Sequence, residues 1–213
     1  MTEHYLRVHH NINVNWWYLS MNPNAISILE HNQDKVEWRW LSGNPNAIPL
    51  LEQNMDKINW ANLSENINAI HILENNLEKV DWTGLSMNPN AIPILEQNMD
   101  KINWANLSEN INAIHILEKN LDKELNWSYL SANPNAESIL KQNPDKVDWL
   151  FLTKNRNPNI ISIFEQNMDK VTWINLSSNP SAIRVIEKHL DKVNWWNLCQ
   201  NPAAIHILEQ NWD

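Results

Sequence analysis

Glycine is almost missing: the 213 residues contain two, Gly43 and Gly84. Tight hairpin turns need positive φ, which glycine adopts without steric cost, so a hairpin-rich fold is disfavoured and asparagine is expected at any left-handed positions. A single cysteine, Cys199, excludes an internal disulfide framework and any multi-cysteine zinc or iron–sulfur site. It fits a reducing compartment. Lysine and arginine form no run, and the formal charge is -9. Nucleic-acid binding rests on clustered cations against phosphate and is not expected. No apolar stretch reaches the ~18 residues of a spanning helix, and the opening MTEHYLRVHH has no apolar signal-peptide core. The expectation is a soluble cytoplasmic protein without membrane contact.

Tryptophan and asparagine are abundant instead, and they are periodic. Trp16, Trp38, Trp60, Trp82, Trp104, Trp127, Trp149, Trp173 and Trp195 recur at intervals of 22 to 24 residues. They set the register of nine repeats, 14–35, 36–57, 58–79, 80–101, 102–123, 124–146, 147–170, 171–192 and 193–213, numbered 1 to 9 below. Residues 1–13 are expected to form an N-terminal cap or tail to one solenoid over 14–213. The consensus is [V/I]-N-W-x-x-L-S-x-N-P-N-A-I-x-I-L-E-x-N-x-D-K. The run DKINWANLSENINAIHILE from Asp56 returns unchanged from Asp100, 44 residues later, so a two-repeat block has been copied. One extra residue enters near Glu124 and two near Asn155 to Asn157.

Each repeat reads as two short helices. In PNAIPILEQN, Ala91, Ile92, Ile94 and Leu95 share one helical face. Asn90 is expected as N-cap, which places Pro93 in the tolerated first turn, and Asn98 as a left-handed C-cap. The piece NWANLS has Asn103 as its expected cap and is short enough to be 3₁₀. Neither helix is long enough to persist alone in water, so repeats must stack. The predicted fold is an all-α solenoid of about nine two-helix repeats, with Trp and Leu ladders as its core. A leucine-rich repeat with strands is the competing fold. The uniform aromatic lies three residues before the leucine, which is helical spacing and favours helices.

Two resemblances rest on these motifs. The run LSxNPNAIxILExNxDK[I/V]xW, over 14–213, resembles short tandem repeats of giant DNA viruses of amoebae, the mimivirus-like group. That likeness implies a viral array protein acting in host cytoplasm or in the particle. Asn-Pro-Asn followed by spaced aliphatics is similar to leucine-rich variant repeats, in which 3₁₀ and α-helices alternate. It implies fold only, and neither likeness supplies a catalytic residue.

The residues suited to chemistry are distributed as structural rows. His71, His115 and His206 share one repeat position but not adjacent repeats, so about 20 Å separates His71 from His115, far beyond zinc ligation. Glu30, Glu52, Glu74, Glu96, Glu118, Glu165, Glu187 and Glu209 form a carboxylate row in which no member has a distinct setting for acid–base work. Asn22, Asn44, Asn66, Asn88, Asn110, Asn133, Asn157, Asn179 and Asn201 form an asparagine ladder expected to cap helices and bridge layers. No serine has a uniform histidine partner, and no glycine-rich phosphate loop exists. An enzyme, a metal and a cofactor are not expected.

Variation inside the repeat is the functional signal. The two residues after each register tryptophan change freely, and Trp17, Tyr18, Arg39, Trp40, Tyr129, Phe151 and Trp196 are of the types favoured at binding hot spots. The expected function is a non-enzymatic scaffold binding a host or viral protein along that edge, as a monomer. The alternative is a structural component assembling by end-to-end stacking, for which Trp212 near the end is suggestive.

Overall fold

The structure, a computed structural model, describes residues 14–211. The expected cap at 1–13, the histidines His4, His9 and His10, and Trp212 lie outside the described residues. Among these residues the chain is all-α, with eighteen short helices and no strand. It divides into two compact units, one ending at Asn103 and one starting at Trp104. Each unit is an α-solenoid of stacked two-helix repeats. In the first, Trp16–Met21, Trp38–Ser42, Trp60–Glu65 and Trp82–Met87 alternate with Ile26–Glu30, Ile48–Glu52, Ile70–Glu74 and Ile92–Gln97. In the second, Trp104–Leu107, Trp127–Ala132, Trp149–Leu152, Trp173–Ser177 and Trp195–Leu198 alternate with Ile114–Glu118, Glu137–Gln142, Ile161–Glu165, Ile183–Lys188 and Ile205–Gln210.

In most repeats the first helix begins at the register tryptophan because the residue before it caps; Glu37 and Thr172 are the N-caps without a side-chain cap bond. The Asn59 side-chain oxygen accepts from the Asn62 amide, that of Asp81 from Thr83 and Gly84, and that of Asn126 from Ser128 and Tyr129. This helix is α, and the 3₁₀ character lies in the connections Pro23–Ala25, Met55–Lys57 and Met99–Lys101. The second helix starts one residue later than expected. Ala91, not Asn90, is its N-cap and makes no side-chain cap bond, while Pro93 sits in the first turn as anticipated. Asn88 prepares that start instead, its side-chain oxygen accepting from the Asn90 amide. Asn98 is not left-handed: its φ is -135°. Its side-chain amide donates to the Ile94 carbonyl four residues back, satisfying a helix-end acceptor without positive φ.

The core is aliphatic and polar, with Phe164 as a fully buried aromatic and the register tryptophans outside it. Leu63, Ala69, Ile72, Leu73 and the leading Ile58 are buried, as are most of their counterparts; Val14, Leu19 and Ile28 in repeat 1, Leu125 in repeat 6 and Leu208 in repeat 9 are half-buried. The register tryptophans Trp60, Trp82 and Trp127 are only half-buried. In repeats 1 to 8 the lysine that ends the repeat roofs that repeat's own tryptophan. Lys79 Nζ lies 4.9 Å from the Trp60 ring centre, and eight repeats show the contact at 4.6 to 6.0 Å. The indole thus pins the repeat's end to its beginning by a cation–π contact in these eight repeats.

Hydrogen bonds join the layers. Asn66, buried, donates its amide to the carbonyls of Ser42 and Asn44 in the preceding repeat, both at 3.0 Å. The buried Ser64 hydroxyl donates to the Trp60 carbonyl and accepts the Asp81 amide of the following repeat. Every buried side-chain nitrogen or oxygen of the described residues has a partner. The insertion in repeat 7 changes one expected ladder member. Asn155, not Asn157, is the buried bridge, donating to the carbonyls of Ser131 and Asn133. Asn157 takes the next asparagine's task, donating to the Pro134 carbonyl and capping Pro158–Ile160. The two inserted residues are absorbed by repeating the Asn-x-Asn step, so the stack continues.

Candidate interaction edge

The two positions after the register tryptophan lie on the first helix of each repeat, but packing treats them differently. The first is largely exposed, at Arg39, Ala61, Thr83, Leu150, Ile174 and Trp196. The second is mostly half-buried, at Trp40, Asn62, Phe151 and Asn197, and Gly84 there is buried. Freedom from packing therefore belongs mainly to the first position. The structure corrects the view that both are unconstrained.

The seven candidate residues fall into two groups, one in each unit. In the first unit, Trp17, Tyr18, Arg39 and Trp40 come together. Trp17 meets Tyr18 edge-on with ring centres 4.2 Å apart, and meets Trp40 across the repeat joint at 5.2 Å and 83°. The Arg39 guanidinium lies 5.2 Å from the Trp40 ring centre. Edge-to-face pairs of this kind hold the rings in place, so Tyr18, 64 % exposed, projects from a fixed base. In the second unit, Tyr129 and Phe151 occupy the same position in adjacent repeats. Tyr129 is exposed, Phe151 is half-buried under Lys154, whose Nζ lies 5.0 Å from the ring, and Trp196 is the most exposed large hydrophobic side chain of the described residues. No ring contact links these three among the described residues. Leu150 and Ile174 were missed, because aromatic type and not exposure guided the choice. Their signal was the variable position itself.

The rows of titratable residues form pairs between layers. His71 Nε2 lies 2.8 Å from Glu52 Oε1 and His206 Nε2 2.7 Å from Glu187 Oε1, each reaching the preceding repeat. Lys188 reaches Glu165 at 2.7 Å, and the Ser138 hydroxyl donates to Glu118. All are exposed pairs of small individual worth. Among the described residues no three His, Cys, Asp or Glu side chains converge to hold a metal ion. A cleft of about 320 Å³ lies between repeats 3 and 4, lined by Glu74, Leu77, Ile94, Gln97 and Asn98. Its one acid belongs to the uniform carboxylate row and has no second group poised against it. Among the described residues no helix is long and apolar enough to cross a membrane. Comparison with protein-family models, curated proteins and solved structures finds no match.

Proposed function

We propose that the chain is a non-enzymatic repeat scaffold that binds a protein along the first-helix edge. The observation that carries the proposal is the contrast within one helix: Leu63 and Ser64 are fully buried, the leucine is the same in all nine repeats and the serine in seven, while the position after the tryptophan varies and is exposed in six of the nine. Within each unit, a stack with fixed joints repeats that open position at regular intervals, which suits an extended partner. The resemblance of the repeat to those of giant DNA viruses makes the partner a host or viral protein, met in host cytoplasm or in the particle.

The test compares the wild-type chain with one carrying alanine at Trp17, Trp40, Tyr129 and Phe151, both matched for helicity by circular dichroism. Affinity capture from infected host lysate, read by mass spectrometry, should recover a partner with wild type and lose it with the variant. Recovery of nothing but further copies of the chain from both would replace the scaffold with end-to-end structural assembly.

A further inference from the structure

In repeats 7, 8 and 9 the residue after the register tryptophan is Leu150, Ile174 and Trp196, which are 48 %, 56 % and 82 % exposed. Three large apolar side chains thus occupy equivalent open positions in consecutive layers. The joints around them are fixed, with Asn179 donating to the carbonyls of Thr153 and Asn155 and Asn201 to those of Ser177 and Asn179. Exposed apolar rows of this kind mark contact surfaces.

The segments that carry the row have a charge opposite in sign to that of the protein. The whole chain carries -9. Within 148–157, 172–179 and 194–201 the single acid is Asp148. It is engaged locally, accepting from the Ser128 hydroxyl at 2.6 Å and from the amides of Leu150 and Phe151. The cations there are Lys154 and Arg156, both exposed. Neither has a carboxylate partner among the described residues. An apolar row whose first segment also carries two exposed cations without a carboxylate partner is complementary to apolar groups interspersed with carboxylates.

The spacing selects the conformation of such an occupant. Stacked helices lie about 8–10 Å apart. A polyproline II segment returns to the same face every third residue, about 9.3 Å along. A strand returns after about 6.7 Å and a helix after about 5.4 Å, both out of step with the layers. We propose that Leu150, Ile174 and Trp196, with Lys154 and Arg156, bind an extended acidic peptide in polyproline II conformation bearing an apolar residue at every third position. This deepens the scaffold reading and rests on it.

The probe is a fluorescein-labelled peptide of four Leu-Pro-Glu units, titrated with the full chain by anisotropy. Companion peptides carry lysine for glutamate, or the same residues with the leucines moved out of the three-residue period. Ile174→Ser and the double variant Lys154→Glu, Arg156→Glu change exposed side chains and are matched to wild type by circular dichroism. The acidic peptide should bind wild type, lose at least tenfold affinity with either variant, and weaken as salt rises. The double variant should turn preference toward the lysine peptide. No binding, equal binding of the companion peptides, or indifference to Ile174→Ser would overturn the assignment. Binding of the lysine peptide by wild type through Ile174 would overturn the acidic chemistry while leaving the scaffold reading intact. A dimeric mass that Ile174→Ser returns to monomer would place a second copy on the strip and overturn the peptide.

Discussion

A single asparagine shows how this chain holds its layers without glycine or disulfides. The Asn66 amide meets two carbonyls of the preceding repeat, and its side-chain oxygen accepts the Asn68 amide. Removing it strands the Ser42 carbonyl, leaves the Asn44 carbonyl with the Ala47 amide as its partner, and frees the partly buried Asn68 amide. A buried group left without its bond costs about 1–3 kcal/mol. Asn66→Ala should therefore destabilise by at least about 2 kcal/mol, read as a lowered urea midpoint. Asn66→Asp is nearly isosteric but replaces the donor by an anionic acceptor facing two carbonyl oxygens, so it should cost more than alanine. If aspartate proves the milder change, the two amide bonds are not what joins these layers. Asn22, whose position is exposed, provides the comparison, and Asn22→Ala should cost far less.

At the scale of the helix, the sequence made element type and register legible because nine copies average out local accident. What it hid were features that uniformity alone cannot distinguish. A tryptophan kept in every repeat looks like core, yet in repeats 1 to 8 the ring is half-buried under a lysine roof. Two asparagines flank Arg156, and the Asn-Pro pairing pointed to Asn157. The bridging geometry belongs to Asn155. Candidate residues chosen by aromatic type captured the ring cluster of the first unit and passed over Leu150 and Ile174, because exposure follows from helix orientation and not from residue class. Gly84 raises the remaining question at this scale, since it lies inside the helix Trp82–Met87 where its counterparts are Asn, Trp, Tyr and Phe. A β-carbon there would approach Glu65 Cγ at 3.0 Å, the Ala61 carbonyl oxygen at 3.4 Å and Ser64 Cβ at 3.5 Å. The tight contact is with an exposed, flexible side chain that can turn away. Glycine in a helix interior costs about 1 kcal/mol relative to alanine. Gly84→Ala should accordingly raise stability by about 0.5 kcal/mol in thermal or urea unfolding. A loss instead would show that the Ala61 carbonyl, and not the Glu65 side chain, limits the approach of these two helices.

For the whole molecule the copied block is an experiment already half performed. Residues 56–74 and 100–118 are identical, so excising 58–101 joins Lys57 to an Ile102 that opens the same text as Ile58. The new joint would have the chemistry of one already seen within the first unit. Ser42 would accept the Asn103 amide as it now accepts that of Asn59, and Asn110 would donate to the Ser42 and Asn44 carbonyls as Asn66 does. Stability in a stack is a sum over repeats and their nearest-neighbour joints, so the shortened chain should fold with unchanged helicity per residue. Its urea m-value should fall by roughly a fifth, in proportion to the 44 of 213 residues removed and the surface they bury. Excising 58–90 breaks the register in mid-repeat. It should leave a chain that aggregates or shows no cooperative transition. The opposite ordering, with the in-register deletion unfolded and the out-of-register one folded, would mean that stability resides in particular repeats and not in the text they share.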